Sequence, residues 1–383
     1  MSSPRLSPFL RGVRCFACDR PHDPGALLGV CSACGLPLRV DYDLAAIRAA
    51  GTLTLQALPQ RPPSLWRYRE VLPLLEGDET SLVEGFTPLL AVGERVFVKD
   101  ESRNPTGSFK ARGMAVAVSM AKHLGARSLA APSAGNAAGA LAAYGARADL
   151  PVTVAMPEDT PRAFVEECRL YGADVRLVPG TISDAGKHLR EHGPAGAFDV
   201  STLREPYRIE GKKTMAYEIV EQLGGRLPDV VLYPTGGGTG LVGMWKAFDE
   251  MEALGWIAPG KRPRLVSVQV AGCAPVVKAF DAGAERTEPW VDPRTRAYGL
   301  RVPAPLGGFL CLRALRETRG TAVAVGEEAM EEGTRELAAR SGIDVCPEGG
   351  AAWAALGDLR ARGFVRGDDE VVVFNTGTGL KYR

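Results

Sequence analysis

The chain has almost no net charge. Its 46 lysines and arginines are matched by 45 aspartates and glutamates, which leaves +1. A balance of that kind carries no electrostatic footprint for nucleic acid or for an anionic membrane, so neither is expected as a partner. Long apolar runs are missing as well, and nothing approaches the roughly 18 residues of a membrane-crossing helix. The opening MSSPRLSPFLRGVR has no apolar stretch of signal-peptide length, so the expected location is the cytoplasm. No internal repeat of 20–50 residues stands out, and only the first dozen residues read as irregular. What remains is the composition of an ordinary globular protein, 45% hydrophobic and 24% charged, long enough at 383 residues for two domains.

The eight cysteines fall into two groups. Cys168, Cys273, Cys311 and Cys346 are scattered and read as small apolar residues. Cys15, Cys18, Cys31 and Cys34 form CFAC, twelve residues, then CSAC. Two such knuckles can set four thiolates tetrahedrally around one ion, which suits zinc; disulfides are the weaker alternative in a reducing compartment. The linker DRPHDPGALLGV has one arginine, one histidine and no aromatic, which argues for a structural clip rather than a nucleic-acid reader. His22 is either a substitute ligand or a solvated loop residue.

Residues 41–60 read as helical and then irregular, and RPPSLWRYREVLPLL (61–75) as a proline-marked arm packed on the body. From residue 94 onward the pattern alternates. Strands are expected at 94–99, 127–131, 151–156, 175–178, 198–200, 229–233, 264–270 and 371–374. Helices are expected at 111–124, 136–148, 160–171, 182–192, 212–223 and 241–254. Such alternation predicts parallel sheets with helical crossovers. The polar, proline-marked stretch 281–305 is a candidate mobile loop over a site.

The most informative stretch is KDESRNPTGSFKARGM, residues 99–114. Pro105 and Gly107 are turn residues and Ser108 suits an N-cap. Lys110 then falls in the first turn of a largely apolar helix. The helix dipole and burial both disfavour its ammonium form, which lowers its pKa and frees a nucleophilic amine. A surface lysine with its stem laid on the fold is the competing reading. Three loops follow apolar strands: Pro132-Ser133-Ala134-Gly135-Asn136, Thr235-Gly236-Gly237-Gly238-Thr239-Gly240 and Asn375-Thr376-Gly377-Thr378-Gly379. Ligands bind at that edge of open α/β sheets. The glycine run can turn successive amides and a helix N-terminus toward an anion, though glycines also occur in such turns for packing alone. Asn136 is equally compatible with a helix cap, and Thr376 with a turn hydroxyl.

Together these motifs resemble the pyridoxal-phosphate enzymes of the tryptophan synthase β fold, fold type II. The resemblance implies an α/β protein with two three-layer αβα domains and parallel sheets, here with a zinc-ribbon-like module in front. It implies pyridoxal 5′-phosphate on Lys110 as a Schiff base. Asn136 would bond the cofactor 3′-oxygen, Ser133, Ala134 and Gly135 would hold the substrate carboxylate, and Gly236, Gly237, Gly238, Thr239 and Gly240 the cofactor phosphate. Thr376 would face the pyridine nitrogen. Within the fold type, KDESRNPTGSFKARGM, PYRIEGKKT (206–214) and the terminal TGTGLK are similar to the threonine synthase family, some members of which carry a cysteine knuckle pair. That resemblance places Arg208 on the phosphate of an amino-acid substrate, O-phospho-L-homoserine, to be converted with water to L-threonine. Two departures stand out. The phosphate loop GGGTG is closer to that of the dehydratases, and Thr202-Leu203-Arg204 replaces the expected Asn-Ser pair, so Arg204 is a candidate stand-in. β-Elimination from threonine or serine, and a cysteate-synthase-like β-replacement, are the alternatives. The expected domains are 1–40, the cysteine module; 41–85, helix and arm; 86–110 with 203–383, the cofactor domain; and 111–202, a smaller domain. A homodimer is implied by resemblance alone.

Overall fold

A computed structural model describes residues 6–383. The chain packs as two compact units. One comprises Met1–Gly85, Asn104–Thr106 and Lys110–Thr214, the other Phe86–Arg103, Gly107–Phe109 and Met215–Arg383.

In the first unit, Leu10–Cys15 pairs with both Pro21–His22 and Leu38–Tyr42 in an antiparallel three-stranded sheet. The opening residues are therefore more ordered than their sequence reads: from Leu6, which bridges to Leu74, they are tied down, while the first five lie outside the described residues. The helical expectation for 41–60 shrinks to Leu44–Ala50, capped by the Asp43 carboxylate and stopped by left-handed Gly51. The arm packs as expected, with Leu65, Tyr68, Val71 and Leu72 buried and Arg61 paired with Glu70 at 2.6 Å.

The rest of this unit is a parallel four-stranded sheet in the order Asp174–Val178, Val152–Pro157, Leu129–Pro132, Phe198–Asp199. Its crossovers are Asn136–Arg147, Arg162–Leu170 and Ile182–His192. The helix Lys110–His123, fully buried from Ala111 to Ala121, packs against the Asn136–Arg147 helix. The two helices are rich in alanine and glycine, and small side chains permit a close approach.

The second unit is a six-stranded sheet in the order Thr321–Val325, Arg264–Val270, Val230–Pro234, Val371–Asn375, Val96–Asp100, Leu89–Gly93. All pairs are parallel except the last, so the expected all-parallel sheet carries an antiparallel edge strand. Alternate residues form one face: Val96 and Val98, Val230 and Leu232, Val266 and Val268, Val371 and Val373. They share a core with Leu337, Trp353, Leu356 and Leu359 of the helices Glu327–Ser341 and Pro347–Ala361. Residues 281–305, read as mobile, are held at several points. Trp290 N–H donates to the Pro303 carbonyl, Arg294 N–H to Gly272, and Gly299 N–H to the Glu348 carboxylate at 2.8 Å.

The helix Tyr207–Gln222 starts five residues earlier than expected, and Gly211 lies inside it. Its glycine serves a close crossing. A Cβ there would stand 1.9 Å from the carbonyl oxygen of Arg112, so this helix and the Lys110–His123 helix touch backbone to backbone. Gly211→Ala should therefore lower stability by about 1–3 kcal/mol or more, through overpacking. Gly357→Ala, in an exposed helical position with nothing within 4 Å of the new methyl, should raise it by about 0.5–1 kcal/mol. Urea midpoints of the two variants check both signs.

Candidate active site

In the second unit, residues 107–109 and 376–378 are spliced together. Phe109 N–H donates to the Thr376 carbonyl at 3.1 Å and Thr378 N–H to Gly107 at 2.8 Å, and Ser108 bridges to Gly377. The left-handed backbone of Gly107 is required here, because a side chain would meet Thr378. Asn375, at the end of its strand, donates to Asp100 at 2.9 Å and accepts from Cys346 N–H at 3.2 Å, which locks the splice to two neighbours. The first helical residue after it is Lys110. Ser108 thus belongs to the bridge and lies one position before the cap.

Thr376 is buried, with its hydroxyl 3.7 Å from the Cys346 sulfur. Burial, with the Glu348 carboxylate nearby, pushes that thiol far up, so Cys346 is neutral. The glycine turn leaves the strand Val230–Pro234 and opens the helix Thr239–Leu254, whose N-terminus has no side-chain cap. Cβ atoms at Gly236, Gly238 and Gly240 would collide with the Gly299 carbonyl, Cys311 and Tyr233. Packing behind the turn thus demands the glycines, and the uncapped helix start leaves its amides available to an anion.

In the first unit, Lys110 is half-buried at the head of a buried helix. Ser133, Ala134 and Gly135 form the turn after the strand Leu129–Pro132, with the Ser133 hydroxyl bonded to the Gly135 backbone. Asn136 is the first residue of its helix and Gly135 holds the cap position, so capping does not explain the asparagine.

The turn 201–206 carries strain. Leu203 is buried yet sits at φ +61°, a conformation that costs a bulky residue about 1–3 kcal/mol. Thr106, just before the splice, shows the same departure at φ +57°. Arg204 is exposed on this turn. Glu205 instead turns inward, and its carboxylate accepts the amides of Tyr207 at 2.6 Å and Arg208 at 3.2 Å, serving as the helix cap. Sequence reasoning missed this residue; a carboxylate shortly before a Pro-x-Arg helix start was the available signal. Arg208 is buried. Its Nη1 donates to the Val200 carbonyl at 2.8 Å, while Nε and Nη2 have no partner. Burial pulls this guanidinium below its ordinary pKa against the attraction of Glu205 and Asp199. Two idle donors on a buried guanidinium are a departure from the usual pairing of buried polar groups, and an anion could satisfy them.

The four knuckle cysteines form one cluster, their sulfurs all within 4.8 Å of one another. Neighbouring sulfurs lie 3.5–3.6 Å apart, close to the roughly 3.8 Å edge of a tetrahedron with 2.3 Å metal–sulfur bonds. The amides of Ala17 and Ala33 donate to Cys15 and Cys31 sulfur. Burial works against the Cys31 thiolate, but the Ala33 and Cys34 amides, together with His22 and Cys18, more than offset it and bring this thiol to about 5. The donor set fits a tetrahedral thiolate-bound ion. His22 is neither a member of the cluster nor a solvated loop residue. It is a half-buried strand residue beside Cys31.

The family described as "Pyridoxal-phosphate dependent enzyme" matches residues 80–377, which takes in Lys110, the 133–136 turn, the glycine turn and Thr376.

The chain belongs to the pyridoxal-phosphate-dependent enzymes.

The threonine synthase of Methanosarcina acetivorans is 34% identical over 378 residues, covering 96% of this chain and 92% of the relative. That of Methanocaldococcus jannaschii is 33% identical with the same coverage. Among solved structures, a threonine deaminase from T.th. superposes with a TM-score of 0.64 at 28% identity, over 76% of this chain and 92% of its own. Maize serine racemase, at TM-score 0.65 and 22% identity over 77% and 88% of the two chains, shares the fold. No described helix is long and apolar enough to cross a membrane.

Glu205 supplies a test of the Arg208 turn. Burial raises its carboxyl from 4.5 to about 7, against the pull of Arg208 and two amides. The folded state therefore holds a proton that the unfolded chain has released. The resulting stabilisation is complete below about pH 4.5 and is lost as pH rises through about 7, amounting to roughly 3 kcal/mol. Unfolding of wild type and Glu205→Gln across pH 4.5–8 should show this fall in the wild type only. Parallel curves would mean that Glu205 stays ionised.

Proposed function

We propose that this enzyme is a threonine synthase, converting O-phospho-L-homoserine and water to L-threonine and phosphate. The similarity to curated threonine synthases along nearly the whole chain supports the reaction. The observation that carries the substrate is Arg208, whose two idle donors in a buried site suit the oxygens of a phosphate ester.

The site residues take the following roles in this reading. Lys110 would hold the cofactor aldehyde, and its amine would take and return protons at the α, β and γ carbons of the substrate. Asn136 would bond the cofactor 3′-oxygen, and Ser133, Ala134 and Gly135 would hold the substrate carboxylate. The amides of Gly236, Gly237, Gly238, Thr239 and Gly240, at the uncapped helix start, would receive the cofactor phosphate. Thr376, beside the neutral Cys346 thiol, would offer its hydroxyl to the pyridine nitrogen. Pyridoxal phosphate, when bound, supplies the electron sink for charge at the substrate α-carbon. The γ carbon–oxygen bond breaks and phosphate leaves, the β-carbon loses one proton and takes the hydroxyl of water, the γ-carbon gains one proton, and the remaining proton of water leaves with the phosphate. Arg208 holds the departing group. Exposed Arg204 has no role in this account.

By role the chain divides into a cysteine module (1–40), an arm (41–85), a cofactor domain (86–110 with 203–383) and a smaller domain (111–202). A homodimer in the cytoplasm completes the proposal.

The deciding assay offers the holoenzyme O-phosphohomoserine, threonine and O-phosphoserine separately, and follows phosphate, threonine and 2-oxo acid. Phosphate and threonine should appear together from the first. Arg208→Ala should weaken use of that ester about 30-fold or more with the lysine-linked cofactor absorbance unchanged. Lys110→Ala should lose both absorbance and turnover. Oxo acid from threonine, without phosphate from the ester, would leave a dehydratase, the reading favoured by the glycine loop and the threonine deaminase likeness.

The cysteine cluster is assigned a structural zinc. Such sites gain roughly 10–16 kcal/mol on binding in isolated peptides, enough to fold a short module. Metal analysis should return about one zinc per chain. The Cys15→Ser/Cys34→Ser variant should lose the metal while most catalysis remains. Loss of turnover with the fold intact would contradict a structural role.

A further inference from the structure

Lys212 has no assigned task, and its surroundings suggest one. It lies four residues after Arg208 on the helix Tyr207–Gln222, so both side chains leave the same helix face. Lys212 is fully buried, down to its ammonium nitrogen. The Lys212 head and the base of Arg208 both lie against Gly113, three residues beyond Lys110 and on its side of that helix. A Cβ at Gly113 would stand 2.5 Å from Lys212 Nζ and 3.4 Å from Arg208 Cβ. The glycine is thus the opening that admits a second buried cation, within one turn of Lys110.

The neighbouring lysine is a useful contrast. Lys213 is bonded to the Glu210 carboxylate at 2.6 Å and lies over the Tyr42 ring, a closed ion pair. Arg208 and Lys212 both pull on the Glu205 carboxyl, which also accepts two backbone amides. Two buried cations lie on one helix face, opposite the carboxyls of Glu205 and Asp199. A phosphate monoester carries about 1.5–2 negative charges at neutral pH and would complement both cations.

We propose that Lys212 is the second cation of the site headed by Arg208, and that the pair selects a phosphate dianion over singly charged or neutral groups. Arg208 supplies directional donors and Lys212 a compact charge. The proposal rests on the phosphate-ester reading above and adds a specificity-determining residue to it.

The test measures competitive inhibition of the holoenzyme by inorganic phosphate and by methanesulfonate, a monoanion of similar shape. It uses wild type, Lys212→Met and Arg208→Ala, with the pH titration of the lysine-linked absorbance recorded for each. Lys212→Met should weaken inhibition by phosphate about tenfold or more, and methanesulfonate much less, with KM for the ester rising more than kcat falls and the titration unmoved. Should the single variant fail to fold, Lys212→Gln, which keeps a polar head in the same place without the charge, carries the same comparison. Unchanged phosphate inhibition in the Lys212 variants, with loss in Arg208→Ala, overturns the proposal and spares the reading beneath it. A shifted absorbance titration without weaker phosphate inhibition also overturns it, and makes Lys212 an electrostatic partner of Lys110. If Arg208→Ala too leaves phosphate inhibition unchanged, the phosphate-ester reading itself falls.

Discussion

The geometry around Lys110 depends on a backbone splice. Residues 107–109 are bonded to residues 376–378 by two amides and a bridge, so the chain immediately before Lys110 is fixed by the C-terminal end of a central strand. That strand, Val371–Asn375, is paired on both sides in the six-stranded sheet. Asn375 extends the lock through Asp100 and Cys346. Three motifs far apart in the chain become one hydrogen-bonded assembly.

Buried charge is the second constraint. Lys99 and Glu218 pair at 2.8 Å, and Lys213 and Glu210 at 2.6 Å, all with side chains fully hidden from solvent. Desolvating such groups costs several kcal/mol each, and the pairs persist because every partner is satisfied. Lys99 also bonds the Thr87 carbonyl and Gln222, and Glu218 takes the amides of Phe86 and Thr87. The charged end of the strand that introduces the lysine stretch is therefore an interior network rather than a solvated edge. Arg208 differs from these pairs. Two of its donors are left without a protein partner, which is why it reads as a binding group and the others as framework.

Glycine does much of the positioning. Gly211 and Gly113 let two helices touch and open room for the Arg208 and Lys212 stems, while Gly236, Gly238 and Gly240 let the turn settle onto Gly299, Cys311 and Tyr233. In both places the glycines are explained by what packs behind them.

The sequence by itself determined the alternation of strands and helices, because hydrophobic periodicity and turn residues are local properties. The helix Ile182–His192 and the strand Arg264–Val270 match the reading residue for residue. It also pointed to Lys110, the asparagine turn, the glycine turn and the cysteine knuckles, since each needs a particular residue type at a fixed spacing. Tertiary structure decided the rest. The start of the Tyr207–Gln222 helix was hidden because Gly211 reads as a breaker, and only contact with Arg112 explains a glycine inside it. The antiparallel strand Leu89–Gly93 and the N-terminal sheet were not legible, as short strands gain their stability from partners distant in sequence. Exposed Arg204 and buried Glu205 are adjacent in the chain, and nothing local ranks one above the other. Which of them faces the interior is set by the strained turn at Leu203, and that turn exists only because the surrounding fold holds it.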